Sequence, residues 1–295
     1  MTDSWAQAVL AQMEQRISGK RQVILWCLAA ILARGHVLLE DIPGVGKTSL
    51  VLALSQVLGL QLGRVQFTAD VMPADVVGYS ILRKGELVYK PGPVQCNLFL
   101  ADELNRATSR TQSALLEAME EGRVTVDGKT FPLPQPFVVM ATQNPLGAGT
   151  QPLPDSLRNR FSVCLRMGYP ERSAEMAMLQ QIPDLQPVST AQELAKLQAA
   201  VADTYVKDSV ADYGVRLMAA TRRSPLIFRG ASPRATLSVM ALAKAWAYLQ
   251  GRDFVIPEDV RGAFLQGVSH RILTRGNGQM LLRHIAWRVR PPKWE

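Results

Sequence analysis

The segment LLEDIPGVGKTSLVLAL, residues 38–54, decides the fold. It follows the phosphate-binding pattern G-x-x-x-x-G-K-[ST] with Gly46, Lys47 and Thr48 in place, but Asp41 stands where the first glycine belongs. Around it, HVLLE reads as a short buried strand entering a loop. Val45 to Leu58 reads as a helix leaving that loop, stopped by Gly59. Such a loop can cradle phosphates. Gly44 and Gly46 let the backbone approach, and Pro43, Val45 and Ser49 complete the turn into the helix. The amides point inward, and the helix N-terminus adds positive potential. Lys47 is placed to reach β- and γ-phosphates and Thr48 to ligate Mg²⁺. Asp41 is tolerable if it adopts a backbone region that Asp enters more readily than most residues. Its carboxylate must then point away from the phosphates.

Downstream stretches supply partners for that loop. NLFLADE is an apolar strand ending in Asp102 and Glu103. Asp102 would hold Mg²⁺ through water, and Glu103 would activate an attacking water. Two exposed acids are the commoner case for such a pair alone, and its distance after the loop gives it weight. VVMATQNP brings Asn144 to the end of another strand, where it can hydrogen-bond the attacking water. In LPDSLRNRF, Arg160 follows a short helix and precedes a strand; taken alone, a surface salt bridge is the rival reading. In ASPRATLS, Arg234 sits in a first helical turn, against the helix dipole, a cost that a γ-phosphate would offset. An exposed arginine with its stem on the surface is the alternative there.

The order of elements extends the picture. RVQFTA, FVVMATQNP and FSVCLRM read as strands, TSRTQSALLEAMEEG as a helix ended by Gly122, and RVTVDGKTF as a hairpin turning at Asp127-Gly128. Alternating strands and helices predict a mainly parallel sheet covered on both faces. After about residue 170 the strands stop and four helical segments follow, two of them opening at Ser232-Pro233 and Ile256-Pro257. The fold class is therefore α/β, with an all-helical part behind it.

The 295 residues are 47% apolar and carry a net charge of +8. That balance permits acidic or nucleic-acid partners without showing them. The basic residues are scattered, apart from a mild cluster in RHIAWRVRPPKW, residues 283–294, and solvated surface charge is the ordinary reading. Cys27, Cys96 and Cys164 are isolated in apolar contexts, as expected of free thiols in a reducing compartment. His36, His270 and His284 lack metal-ligand spacing. The N-terminus has no signal-peptide layout, and the longest apolar run, Val23 to Ala33, is too short to span a bilayer. A cytoplasmic protein with no membrane span is expected.

With these elements in order, the sequence resembles the MoxR family of AAA+ ATPases over almost its whole length. The most specific stretches are FTADVMPADVVGY, then YKPGPVQCNLFLADELNRATSRTQSALLEAMEEGRVTVDG, and later GASPRATLSVMALAKAWAYLQGRDFVIPEDVR. The resemblance implies a P-loop AAA+ parallel-sheet domain over residues 1–170, with a helix-2 insert at about 79–93, and an all-α lid over 171–295. It implies ATP and Mg²⁺, with Lys47 and Thr48 in Walker A and Asp102 and Glu103 in Walker B. It further implies Asn144 as sensor 1, Arg160 as arginine finger and Arg234 as sensor 2. Ile17 and Gly19, in ISGKRQ, correspond to the segment that touches adenine. The family accepts Asp at the position of Asp41. The insert would be the hairpin YSILRKGELVYKPGP, tipped near Lys84-Gly85, either a working element or a plain surface hairpin.

The resemblance also implies a homo-oligomeric ring, a hexamer, acting on a protein client, often one with a von Willebrand factor A domain. The rivals are a DNA-acting motor, a magnesium-chelatase-type subunit and a non-catalytic nucleotide-binding scaffold. No helix-turn-helix or aromatic stacking platform supports nucleic acid as a partner.

Overall fold

A computed structural model describes residues 2–292, except 146, 148 and 179–183. Lys293 and Trp294 of the basic tail lie outside the described residues. Two helices, α1 (Thr2–Glu14) and α2 (Arg21–Leu32), precede β1 (His36–Glu40). Then come α3 (Lys47–Val57), β2 (Leu62–Gln66), α4 (Pro73–Val77), the hairpin β3 (Gly78–Arg83) and β4 (Glu86–Pro91), and β5 (Leu98–Asp102). A single 3₁₀ turn at Leu104–Arg106 leads to α5 (Ser109–Glu121), the hairpin β6 (Arg123–Val126) and β7 (Lys129–Pro132), β8 (Val138–Gln143), α6 (Asp155–Arg158) and β9 (Phe161–Leu165). The remainder is α7 (Arg172–Met178), α8 (Ala191–Ala202), α9 (Asp208–Arg223), β10 (Ile227–Arg229), α10 (Pro233–Leu249), α11 (Pro257–Val268), β11 (Leu273–Thr274) and α12 (Gly278–Arg288).

Five strands form one parallel sheet in the order β2-β5-β8-β1-β9. β5 and β8 are buried along their whole lengths, as strands covered on both faces must be. Their side chains alternate between two cores. Val37, Leu39, Leu98, Leu100, Val138 and Met140 face the core shared with α1, α2, α3 and the helices after α7. Leu38, Phe99, Ala101, Val139 and Ala141 face the core built on α5 and the β6–β7 hairpin. The apolar run 23–33 makes up most of α2, which is buried on every side from Ile24 to Leu32, and Trp26 stacks on Trp246 of α10 with ring centroids 3.9 Å apart. Among the described residues, no helix is long and apolar enough to cross a membrane.

Three expectations are corrected. β2 starts at Leu62 and ends at Gln66, earlier than RVQFTA suggests. A Cβ on Gly63 would stand 1.9 Å from the Pro93 carbonyl, so only glycine lets the strand begin there. The helix after the phosphate loop begins at Lys47 rather than Val45, because Gly46 is left-handed with φ 89°. Strands do not stop at residue 170. β10 and β11 pair as a short antiparallel ribbon among the later helices. The helix starts at Ser232 and Ile256 are as read, with the Ser232 side chain accepting the Ala235 amide. Cys27 and Cys96 are buried and Cys164 is half-buried; burial raises all three thiols, Cys96 to about 12.

Candidate functional site

β1 delivers the chain into the loop at residues 41–46, and α3 carries it away. Gly44 and Gly46 hold φ of 84° and 89°, which L side chains rarely adopt. The first intrahelical bond of α3 runs from the Leu50 amide to the Gly46 carbonyl. The Lys47, Thr48 and Ser49 amides ahead of it have no helical partner and are available to an anion. Asp41 is accommodated by a different device from the one expected. It is not among the residues with positive φ. Instead its Oδ1 accepts the Ile42 amide at 2.9 Å and its Oδ2 accepts the Gly168 amide at 2.7 Å, which turns the carboxylate away from the cradle. Lys47 folds its ammonium onto the Asp41 and Ile42 carbonyls, the latter at 2.8 Å. Burial lowers its pKa, while Asp41, Asp102 and Glu103 pull it back up.

The sheet register brings the acids to that loop. β5 and β8 run side by side with Ala101 opposite Ala141, so Asp102 ends beside Thr142. Asp102 is 5% exposed. Its Oδ1 accepts the Thr142 hydroxyl at 2.6 Å, and its Oδ2 accepts Arg64 Nη2 at 2.9 Å. The Thr48 hydroxyl lies 3.1 Å and 3.3 Å from the two carboxylate oxygens. Thr142 Oγ1 in turn accepts the Glu103 amide at 2.9 Å, so one hydroxyl orients both acids. Glu103 takes a left-handed φ of 56°, a strained conformation for a non-glycine residue, and its carboxylate pairs with Arg106 at 2.9 Å. The Asn105 side chain donates to the Asn144 carbonyl at 2.9 Å, which fixes the turn after β8.

These groups line one cleft of about 390 Å³. Pro43, Gly44, Gly46, Lys47, Thr48 and Ser49 form one wall, and Asp102, Glu103, Thr142, Gln143 and Asn144 the other, with Gln66 at the side. Val45 is buried beneath the loop. Ile17 is buried in the core and Gly19 turns the chain with φ 71°; neither lines the cleft. The adjoining Lys20 donates to the Gly168 and Tyr169 carbonyls at 3.3 Å and 2.8 Å, tying that segment to the strand end that also holds Asp41. Arg160 and Arg234 are likewise outside the cleft. Both pair with Glu120 of α5, Arg234 at 2.9 Å.

Thr142, Arg64, Arg106 and Glu120 were not singled out in the sequence. Thr142 carried a signal, because it shares the β8 end with Asn144; the others depend on side-chain reach across elements.

The metal can be tested against this donor set. A hydroxyl and a carboxylate meeting at one point are hard oxygen ligands of the kind Mg²⁺ takes. Among the described residues no cluster of three His, Cys, Asp or Glu side chains could hold a metal alone. A Mg²⁺ site here would therefore draw further ligands from phosphate and water, as Mg²⁺ usually does. The Thr48–Asp102 pair fits that role.

Residues 36–163 match the family described as ATPase family associated with various cellular activities (AAA), and residues 219–281 match the AAA lid domain. The chain is 46% identical over 264 residues to the uncharacterized protein YeaC of Bacillus subtilis, covering 86% of this chain and 82% of that one. It is 38% identical over 283 residues to Chaperone MoxR1 of Mycobacterium tuberculosis, covering 90% and 75%. A crystal structure of a Cytophaga hutchinsonii protein proposed to be an ATPase superposes with a TM-score of 0.91 at 30% identity, covering 99% of this chain and 96% of that one.

Proposed function

This chain belongs to the MoxR family of AAA ATPases, and from that premise we propose that it hydrolyses ATP within a homo-oligomeric ring to remodel or activate a protein client. The observation that carries the chemistry is the meeting of the Thr48 hydroxyl with both oxygens of buried Asp102, flanked by Lys47 and Glu103 in one cleft. The Gly44 and Gly46 backbone and the first amides of α3 receive the phosphates. Lys47 exchanges two neutral carbonyls for anionic oxygens, a stronger acceptor. Thr48 and Asp102 would hold Mg²⁺, which would supply charge neutralisation at the phosphate oxygens. Glu103 takes a proton from the attacking water once its carboxylate leaves Arg106, and Asn144 orients that water. Arg160 and Arg234 lie outside their own cleft, both held by Glu120, and would serve a neighbour's nucleotide. That placement supports a ring in which each subunit's arginines serve the next subunit's cleft, and we take the ring to be a hexamer.

The hairpin β3–β4 is the surface best suited to a client. Tyr79, Ile81, Leu82, Leu87 and Val88 are all exposed on it, Leu82 by 73%. Such clustering of apolar residues on a small projecting element is typical of a docking surface. The family reading extends the client to a protein with a von Willebrand factor A domain and places the work in the cytoplasm.

Phosphate release tests the enzymatic claim. The parent should release phosphate from ATP with Mg²⁺, and Glu103→Gln should bind ATP with parental affinity yet lose at least 100-fold in rate. A parental rate in Glu103→Gln would remove Glu103 from the base role; no release by the parent at any Mg²⁺ concentration would favour a nucleotide-binding scaffold.

A further inference from the structure

Glu120, Arg160 and Arg234 arrive from three separated parts of the chain. Glu120 lies in the last turn of α5, Arg160 immediately precedes β9, and Arg234 lies in the first turn of α10. Each oxygen of the one carboxylate takes one guanidinium. Oε1 accepts Arg234 Nη2 at 2.9 Å, and Oε2 accepts Arg160 Nη2.

Fold stability does not account for the Arg234 arm of this trio. A carboxylate near a helix C-terminus and a guanidinium near a helix N-terminus both oppose the local dipole. The side chains of Glu120 and Arg234 are 39% and 52% exposed, and an ion pair so exposed contributes little, whereas Arg160 is only 19% exposed and its pair with Glu120 has a share in stability. Breaches of local preference with no structural gain are expected at functional sites.

The charge and the donors point to an anion. One carboxylate between two guanidiniums leaves the trio with a net positive charge. Arg271, 4% exposed, stands behind it; burial and then the proximity of Arg234 lower its pKa to about 10. The Nε of Arg160 is buried and has no partner among the described residues. A ligand with several anionic oxygens suits this surplus, and a γ-phosphoryl group presents three.

We propose that Glu120 is a positioning residue: it gathers Arg160 and Arg234 into one cationic pair that receives the γ-phosphate of a neighbouring subunit's nucleotide. The inference rests on the trans reading of Arg160 given above. Without the carboxylate the two guanidiniums repel each other, and Arg234, carried on a different element, moves away from Arg160. Glu120 thereby ties the position of α10 to the completion of the neighbour's site.

Glu120→Gln keeps the length of the side chain and removes its charge. We expect ATP affinity and KM within twofold of the parent, with kcat at least tenfold lower. Mixed with Lys47→Ala, which has a sound pair and a dead cleft, it should regain activity; mixed with Arg160→Ala it should not. The double variant Glu120→Gln/Arg160→Ala should be no slower than Arg160→Ala alone, because Glu120 acts through that arginine. A parental kcat in Glu120→Gln, or an equal further loss in the Arg160→Ala background, would overturn the inference. Arg234→Ala tests it from the other side and does not depend on how Glu120→Gln folds. Mixed with Arg160→Ala it should stay inactive, since both spoil the same pair; recovered activity would place Arg234 on its own nucleotide and defeat the proposal. If Arg160→Ala and Lys47→Ala fail to complement although subunits exchange, the trans reading falls first and this inference with it. If they do complement and Glu120→Gln turns over like the parent, only the inference about Glu120 falls.

Discussion

Thr142 joins the two acids of the cleft through a single hydroxyl that donates to Asp102 and accepts the Glu103 amide. Thr142→Val keeps the shape and leaves the Glu103 amide without that partner, while Asp102 keeps Arg64 and Thr48. An unsatisfied buried group costs ~1–3 kcal/mol. We expect a stability loss of that size by chemical denaturation and a kcat at least tenfold lower, with ATP affinity changed much less. Parental turnover in Thr142→Val would show that the two acids hold their positions unaided. Lys47 belongs to binding instead. A charge-assisted hydrogen bond is worth ~1.5–3 kcal/mol, so Lys47→Ala should bind ATP at least tenfold more weakly. Equal affinities by calorimetry would remove Lys47 from the phosphates. Asp41 carries a lesson at the same scale. The sequence shows only that the first glycine is missing. The reason it can be missing is the pair of amides, one from residue 42 and one from residue 168, that claim its carboxylate.

The hairpin β3–β4 is the element with the clearest separable task. It pairs from Gly78 opposite Pro91 to Arg83 opposite Glu86 and turns at Lys84-Gly85 with φ of 51° and 85°. It lines no part of the cleft. Deleting residues 81–89 should leave basal phosphate release within twofold of the parent and abolish its stimulation by a client. Full client stimulation after the deletion would make the hairpin a passive surface feature. Only the resemblance to the family placed this hairpin; the phosphate loop, β1, β5, β8, α5 and the β6–β7 hairpin were legible in the sequence itself. Each is specified by contiguous residues: a glycine pattern, an apolar run, a turn pair or a cap. The β10–β11 ribbon was not, because three and two residues leave no periodicity to read. The start of β2 was hidden because it depends on the approach of Pro93 to Gly63. The bonds of Arg64 to Asp102 and of Glu120 to two arginines were hidden for the same reason: they join side chains 38, 40 and 114 residues apart in sequence.

Across the whole molecule, two cores clamp one sheet, and His36 sits where the sheet meets α5. Its Nδ1 accepts the Val139 amide at 3.0 Å, which leaves Nε2 to donate to the Met119 carbonyl at 3.0 Å, so the neutral ring is the one that fits. Burial, partly offset by the bond to Met119, lowers its pKa from 6.5 to about 4. The unfolded chain then binds the proton more readily than the folded one below pH 6.5, and stability falls as pH drops toward 4. The full window corresponds to about 3 kcal/mol for this group. Denaturation from pH 7 to 4.5 should show a shallower loss in His36→Gln than in the parent; equal slopes would contradict the buried neutral ring. The scale of the assembly carries the central claim. Lys47, Thr48, Asp102, Glu103 and Asn144 converge within one chain, while Arg160 does not reach that cleft. A trans arginine is worth roughly 10³–10⁵ in rate in other phosphoryl-transfer systems. The most direct measurement is phosphate release by Arg160→Ala and Lys47→Ala mixed at varied ratios, with subunit exchange followed by labelled protein. Each variant should be nearly inactive alone, and the mixture should regain activity through interfaces that pair a sound cleft with a sound arginine. Confirmed exchange with no activity at any ratio would contradict hydrolysis completed across a subunit boundary.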